Sequence, residues 1–530
     1  NYFPGVIHPE GYHHIESFDR NPLPATVFTV KGHIIKKTIF MVHGSNTTIV
    51  EYENIGKKVS KLSLNPFYVY RDYHRLYHED TEFCHYFSLG GNTLEVNTCH
   101  LAEPLYVKYT SGKFNEEYNW FRNYQFPEEQ LRGQDYSEDA FSLGNIESEL
   151  KPDESIYLTF STDKNMVQQS PPELKKQELN RLKRLIPKEI KDKFLKDLIL
   201  SGNQFIVDRK STGGKSIIAG YHWFTDWGRD TMIAMQGLTI APGNQATSKS
   251  ILNTFLKSID QGLLPNRFAD NENDQPEYNT IDATLWLFVS LYKYYKEFGD
   301  AEFIKDNLHY LEDILQSHIK GTSYNIHVTE QGFLYGGEGI AQLTWMDARV
   351  GDYVVTPRHG CPVEIQALWY NALQIYLFFG KEFPKEKFRL TSESEKLSEK
   401  LTTHFLPYFL NSNGYLNDVV GLNFKGDATI RPNQIYALSL PFQLIDKNTG
   451  KGILKVVESH LFTPYGLRTL SPDSLDFRPV YKGSQLERDS AYHQGTVWTF
   501  LLADYFQACL YVYGNTKEVS NQIKLSLNTL

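Results

Sequence analysis

Four short segments between Trp227 and Trp498 set a carboxylate among aromatic side chains close to an apolar helical stretch. They are Trp227-Gly228-Arg229-Asp230, the run from Tyr278 to Trp286 that carries Asp282, Thr344-Trp345-Met346-Asp347, and the run from Glu487 to Trp498 that carries Arg488, Asp489, His493 and Gln494. Aromatic faces stack on the apolar faces of sugar rings, carboxylates and amides bind hydroxyls, and a pair of carboxylates is what glycoside hydrolysis requires. The pattern points to a carbohydrate-active enzyme.

The elements that would position these residues change along the chain. Ala25 to Val30, Ile34 to Val42 and Ser155 to Phe160 are β-branched and aromatic runs bounded by Gly, Asn, Asp and Pro, which predicts an antiparallel β-sandwich over 1–165. Residues 166–188 are polar and Lys-rich, interrupted by Pro171-Pro172, and read as a helical linker. From about Ile190 the apolar period is helical to the end. Ile365, Leu368, Trp369, Ala372, Leu373 and Tyr376 form one stripe, and Ile281, Leu285, Phe288, Val289 and Tyr292 form another ending near Gly299. Similar segments at 246–260, 301–318, 394–408, 431–446 and 515–530 suggest that 189–530 is an (α/α)6 barrel, six inner and six outer helices. Its long connections, 261–280, 321–360 and 462–491, would form one rim, where the carboxylates and aromatics concentrate.

Composition agrees. The formal net charge of −9 and pI near 6.0 give no basic footprint for nucleic acid or an anionic membrane. Aromatic residues are 14% of the chain, and all Trp residues except Trp120 lie between Trp223 and Trp498, so ligand chemistry is expected in the C-terminal half. Cys84, Cys99, Cys361 and Cys509 are scattered, with no zinc spacing and no disulfide framework, so neither a metal nor a cofactor is expected. No run reaches about 18 apolar residues, and the first residues lack a signal pattern, which predicts a cytoplasmic protein. Gly213-Gly214-Lys215-Ser216 resembles the end of a phosphate loop but has Arg209 at the required first glycine, and no Gly-x-Ser-x-Gly elbow occurs.

Each site candidate has a purely structural alternative. Arg229-Asp230 could be a buried ion pair at a helix start, Asp282 a helix cap, Asp347 a solvated loop residue, and His493 a hydrogen-bonded core histidine.

Taken in order, Ala219 to Met232, Tyr278 to Ala283, Leu343 to Ala348, Pro362 to Asn371 and Tyr492 to Trp498 resemble the C-terminal glucosidase domain of glycogen debranching enzymes. Phe67 to His74 resembles the sandwich domain that precedes it in bacterial and archaeal members. The resemblance implies amylo-α-1,6-glucosidase activity, removing single α-1,6-linked glucosyl stubs from a branched α-glucan such as glycogen or a limit dextrin. The chain departs from eukaryotic members in two ways. It has no room for their amylase-like glucanotransferase domain, and it has Gln494-Gly495-Thr496 where they carry an acidic residue, so the resemblance does not supply the base.

Inverting hydrolysis needs a protonated carboxyl on the glycosidic oxygen and an ionised one activating water on the opposite ring face, roughly 6.5–9.5 Å apart. Asp347 beside Trp345 is the expected acid, with Asp282 as alternative; Asp489 beside Arg488 and His493 is the expected base, with Glu487 in reserve. Trp227, Arg229 and Asp230 would hold the terminal glucose, Glu364 and Gln494 would complete its pocket, and Tyr221, Trp223 or Trp345 would stack on it. Two rivals remain: another glycosidase on the same barrel, such as a glucoamylase or trehalase, and a non-catalytic glucan-binding protein.

Overall fold

Among the described residues, the β-branched alternation of the first third folds as eleven strands in two antiparallel sheets: β1 (Ile15–Asp19), β2 (Ala25–Val30), β3 (His33–Met41), β4 (Thr47–Asn54), β5 (Ser60–Leu64), β6 (Tyr86–Gly90), β7 (Thr93–Asn97), β8 (Leu105–Tyr109), β9 (Lys113–Gln125), β10 (Ser137–Leu150) and β11 (Ser155–Ser161). One sheet has the order β1-β2-β3-β4-β11-β8-β7-β6 and the other β5-β10-β9. Inward residues of both meet in a shared core, Leu64, Ile146 and Leu150 against Tyr109, Ile156 and Leu158, and Phe141 and Leu143 against Leu94, Val96 and Val107. The structure is a computed structural model that describes residues 5–79, 86–97, 103–221, 224–269, 275–423 and 425–530. Trp223, Cys84 and Cys99 lie outside the described residues.

The chain divides into two compact units, 1–201 and 202–530. That moves the expected boundary and changes the role of the segment read as a linker. Pro171–Leu185 is a helix with proline at its first turn, and its Leu174 and Leu182 pack with Leu23, Phe40 and Ile49 of the sandwich unit. Its polar composition hid an apolar strip one residue wide per turn, enough to dock on a sheet.

The second unit is mainly helical, but it begins with three antiparallel strands, Ile206–Arg209, Gly214–Gly220 and Phe224–Asp226, where uninterrupted helix was expected. Gly213 (φ +65°) and Gly214 turn the first hairpin, and a Cβ on Gly214 would lie 2.3 Å from Thr254 Oγ1. The sequence rejected as a phosphate loop is this turn.

The expected helices form at Gln245–Leu256, Asp282–Phe298, Thr391–Phe409 and Lys517–Thr529, with 301–318 broken at Asn307 into Ala301–Asp306 and Leu308–Lys320. Asp282–Phe298 ends on Gly299 in the left-handed region (φ 64°), the conformation glycine adopts without strain. Residues 431–446 are instead a 3₁₀ turn, Pro432–Ile435, and one short helical turn, Tyr436–Ser439, followed by a further helix, Lys447–His460. Val363–Glu382 is more central than its stripe implied: every residue from Val363 to Trp369 is buried. It packs against Asp282–Phe298 and Thr391–Phe409 in a core that includes Trp369, Tyr376, Tyr294 and Phe288. No helix among the described residues is long and apolar enough to cross a membrane.

Candidate active site

Two connecting segments meet over a cavity of about 990 Å³. The first supplies Asp260, Asn266, Glu277, Tyr278 and Asn279; the second supplies Tyr324, Glu338, Gln342, Asp347 and Arg349; Trp227 closes the wall between them. Trp227 is held there because the chain around it pairs with the first segment, Gly228 N donating to Asn266 O at 2.8 Å. The approach requires glycine at 228, where a Cβ would sit 2.2 Å from Pro265 O.

Arg229 and Asp230 follow in the first turn of the helix Gly228–Met235. The Arg229 guanidinium points inward and divides its donors between two carboxylates, Nε to Asp282 Oδ2 at 2.8 Å and Nη1 to Asp347 Oδ2 at 3.1 Å. Burial works against its charge, but Asp282, Asp347 and Asp230 outweigh burial and hold it cationic. Asp282 opens the helix Asp282–Phe298 without capping it; its carboxylate accepts from Arg229 and from Thr280 Oγ1 at 2.8 Å. Asp282 is therefore the buried partner of an ion pair, 2% exposed at its side chain, and does not line the cavity.

Asp347 does line it, with 32% of its side chain exposed. Burial raises its pKa, Arg229 opposes the rise, and Asp282 reinforces it. The side chain is thus open to solvent on one side while protein crowds the rest, an environment that shifts the carboxyl toward its protonated form within reach of a ligand. Asp230 has the same combination: it is exposed, yet burial raises its carboxyl against the pull of Arg229. The indole of Trp345 is not a platform for sugar. It is buried, donates Nε1 to Asn433 Oδ1 at 2.8 Å and packs edge-on against His493 and Phe500.

Several other predicted site residues serve the protein interior. Glu364 is 1% exposed, its two oxygens both bound by the Arg358 guanidinium. Gln494 donates to Val355 O at 3.1 Å and accepts from Arg431 Nη2 at 2.7 Å. His493 is a core histidine: Nδ1 accepts weakly from Ala348 N at 3.4 Å, and burial, then Arg431, Arg229 and Arg358, push its pKa well below the usual histidine value. Tyr221 is exposed and donates to Gln204 O at 2.5 Å, and it does not line the cavity.

The base candidates sit in a helix, Gln485–Tyr492, where a loop was expected. Glu487 is the third residue of the helix and closes its capping box, accepting from Ser484 N at 2.7 Å and Ser484 Oγ at 2.8 Å, bonds that lower its pKa. Arg488 donates to Gly483 O at 2.9 Å. Asp489 is half-buried. Glu487 and Gln494 face a second cavity of about 430 Å³, with Asp476, Arg478 and Tyr353. Asp489 and Tyr492 line neither cavity; the Tyr492 hydroxyl is pushed up by burial and by the charges of Tyr481, Asp347, Asp230 and Asp489.

Tyr278, Tyr324 and Glu338 line the cavity, and Tyr324 and Glu338 were not among the expected ligands. Glu338 stands between two glycines in the left-handed region, Gly337 and Gly339, and Tyr324 is itself left-handed at φ 59°. The Gly-Glu-Gly spacing was the available signal.

Residues 200–530 match the family model for amylo-alpha-1,6-glucosidase, and residues 1–157 that for the glycogen debranching enzyme N terminal region. The chain belongs to the amylo-alpha-1,6-glucosidase family. The Arg229-centred carboxylates lie inside the matched region of this family. Glycogen debranching enzyme of Saccharomyces cerevisiae is 23% identical over 413 residues, which cover 59% of this chain and 27% of the yeast protein. The match thus spans about a quarter of that relative's length. A bacterial glucoamylase solved with acarbose shares the fold at a TM-score of 0.59 and 13% identity, covering 95% of this chain and 77% of its own.

Proposed function

We propose that this chain is an exo-acting, inverting glycosidase that releases glucose from the α-1,6 branch stubs of glycogen or a related α-glucan. The observation that carries the reading is Asp347: a carboxyl with a raised pKa, oriented by Arg229, on the wall of a cavity rich in hydroxyl-binding groups. A protonated carboxyl so placed can give its proton to the glycosidic oxygen as the bond to the anomeric carbon breaks. Asn266, Asn279, Gln342 and Glu277 supply donors and acceptors for sugar hydroxyls, and Trp227, Tyr278 and Tyr324 supply faces for the ring. Asp230 and Arg229 would hold the terminal glucose.

Asp489 is the proposed base, its charge reaching the Tyr492 hydroxyl together with those of Asp347 and Asp230. It would take a proton from the attacking water. The helices of residues 202–530 are proposed to form an (α/α)6 barrel, a reading supported by the fold shared with a glucoamylase.

The same likeness favours one second reading, an α-glucosidase with glucoamylase-type linkage preference. Incubation with a branched limit dextrin, isomaltose, maltose and trehalose decides between them: glucose from the α-1,6 substrates supports the first reading, and turnover confined to maltose or trehalose rejects it.

A further inference from the structure

Thr344 to Ala348 has no regular secondary structure, yet a proton donor must be held to within about 0.5 Å of its productive position. The structure holds this segment from behind with a buried polar chain. Arg358 is its centre. Nε donates to Asp418 Oδ2 at 2.8 Å, Nη2 donates to Glu364 Oε2 at 2.7 Å and Asp418 Oδ1 at 3.0 Å, and Nη1 donates to Glu364 Oε1 and to Thr344 Oγ1 at 3.0 Å. All five N–H groups of the guanidinium are used.

Asn433 continues the chain. Its Nδ2 donates to Asp418 Oδ1 at 2.7 Å and lies 3.6 Å from Met346 Sδ, while its Oδ1 accepts from Trp345 Nε1 at 2.8 Å. Arg431, 3.8 Å from Asp418, donates to His493 O at 2.7 Å, and His493 Nδ1 in turn accepts from Ala348 N. Thr344, Trp345, Met346 and Ala348 are therefore each touched by this group, and Asp347 is the residue they leave free to face the cavity. The charges of Arg358 and Arg431 match in number those of Glu364 and Asp418.

We infer that the Glu364–Arg358–Asp418–Asn433 cluster is a positioning element for the catalytic acid, acting through Thr344 and Trp345. The inference rests on the reading of Asp347 as the acid. It also gives Glu364 a function other than sugar binding: it fixes the guanidinium that fixes Thr344.

Thr344→Val tests it by deleting one hydroxyl at nearly constant volume, with Thr344→Ser as the variant that keeps the hydroxyl. On an α-1,6-glucosyl oligosaccharide, Thr344→Val should lower kcat by roughly 10- to 100-fold with KM little changed. On α-glucosyl fluoride, whose leaving group needs little protonation, kcat should change far less, and Thr344→Ser should resemble the parent on both. Equal loss on both substrates, or no loss on either, overturns the inference. If Thr344→Val lacks a folded melting transition, Trp345→Phe, which keeps an aromatic ring and removes the donor to Asn433 together with part of the indole, gives the same split or refutes it. Asp347→Asn is the reference. If it shows no split between the two substrates, the acid assignment fails; if it does and the Thr344 and Trp345 variants do not, only the positioning inference fails.

Discussion

Asp282 and Asp347 share one cation, Arg229, yet differ in what else they face: 2% of the Asp282 side chain is exposed and 32% of the Asp347 side chain. Asp282 disfavours the charge of Asp347 at the guanidinium they share, and Asp347, open to the cavity, can carry the proton to a ligand. The inner partner fixes Arg229, and Arg229 orients the outer one.

Asp347→Asn should reduce kcat on an α-1,6-glucosyl oligosaccharide by about 10²- to 10⁴-fold, since proton donation to the leaving group disappears. Turnover of α-glucosyl fluoride should be largely spared. Asp282→Asn should lower both activities together because it releases Arg229, and selective sparing by Asp282→Asn alone would exchange the two roles. Asp282→Ala, which leaves Arg229 buried without its inner partner, should cost roughly 3–5 kcal/mol in urea unfolding.

The raised pKa of Asp347 also has a stability consequence. The folded protein binds this proton more tightly than the unfolded chain, so stability falls as pH rises from the ordinary carboxylate value through the raised one. Asp347→Asn removes that cost. Its melting temperature should exceed the parent's at pH 7 and match it at about pH 3, where both states are protonated. A variant less stable than the parent at pH 7 would show that the pairing with Arg229 outweighs burial.

His318 is buried with Nδ1 on Ile314 O at 2.8 Å, and burial depresses its pKa to about 4. A depressed histidine contributes stability that is full above the unfolded value and is lost as pH falls from about 6.5 toward 4. The loss should reach about 3 kcal/mol for this group. Chemical denaturation of the parent and His318→Phe at pH 7 and pH 4 measures it: the variant should lose less on acidification.

Proton NMR of the first sugar released from an α-linked substrate should show β-glucose, the product of water attacking opposite the leaving group. Predominant α-glucose would require a covalent intermediate and would remove Asp489 from its proposed role.

Asp489→Ala should abolish hydrolysis while glucan binding persists, with added azide restoring turnover by replacing carboxylate and water. Glu487→Ala should lose half of its capping box and leave activity in place. An inactive Glu487→Ala beside an active Asp489→Ala would move the base to Glu487.

Local chemistry was legible in the sequence wherever one segment sufficed to specify it. Alternation in β2, β3 and β11, the stripe from Ile365 to Tyr376 and the stop at Gly299 each reflect a periodicity or a backbone preference of a few neighbouring residues. Asp347 could be singled out for the same reason, because its aromatic neighbour and its loop are adjacent to it. Partners distant in sequence were not legible. Nothing near Glu364 announces that Arg358 and Asp418 neutralise it, and nothing near Trp345 announces that Asn433 receives its N–H and turns it inward. The same holds for Pro171–Leu185, whose thin apolar strip becomes a docking face only against Phe40 and Ile49. Burial and ion pairing are properties of what the folded chain brings together, so tertiary structure decided which carboxylates face the cavity and which support those that do.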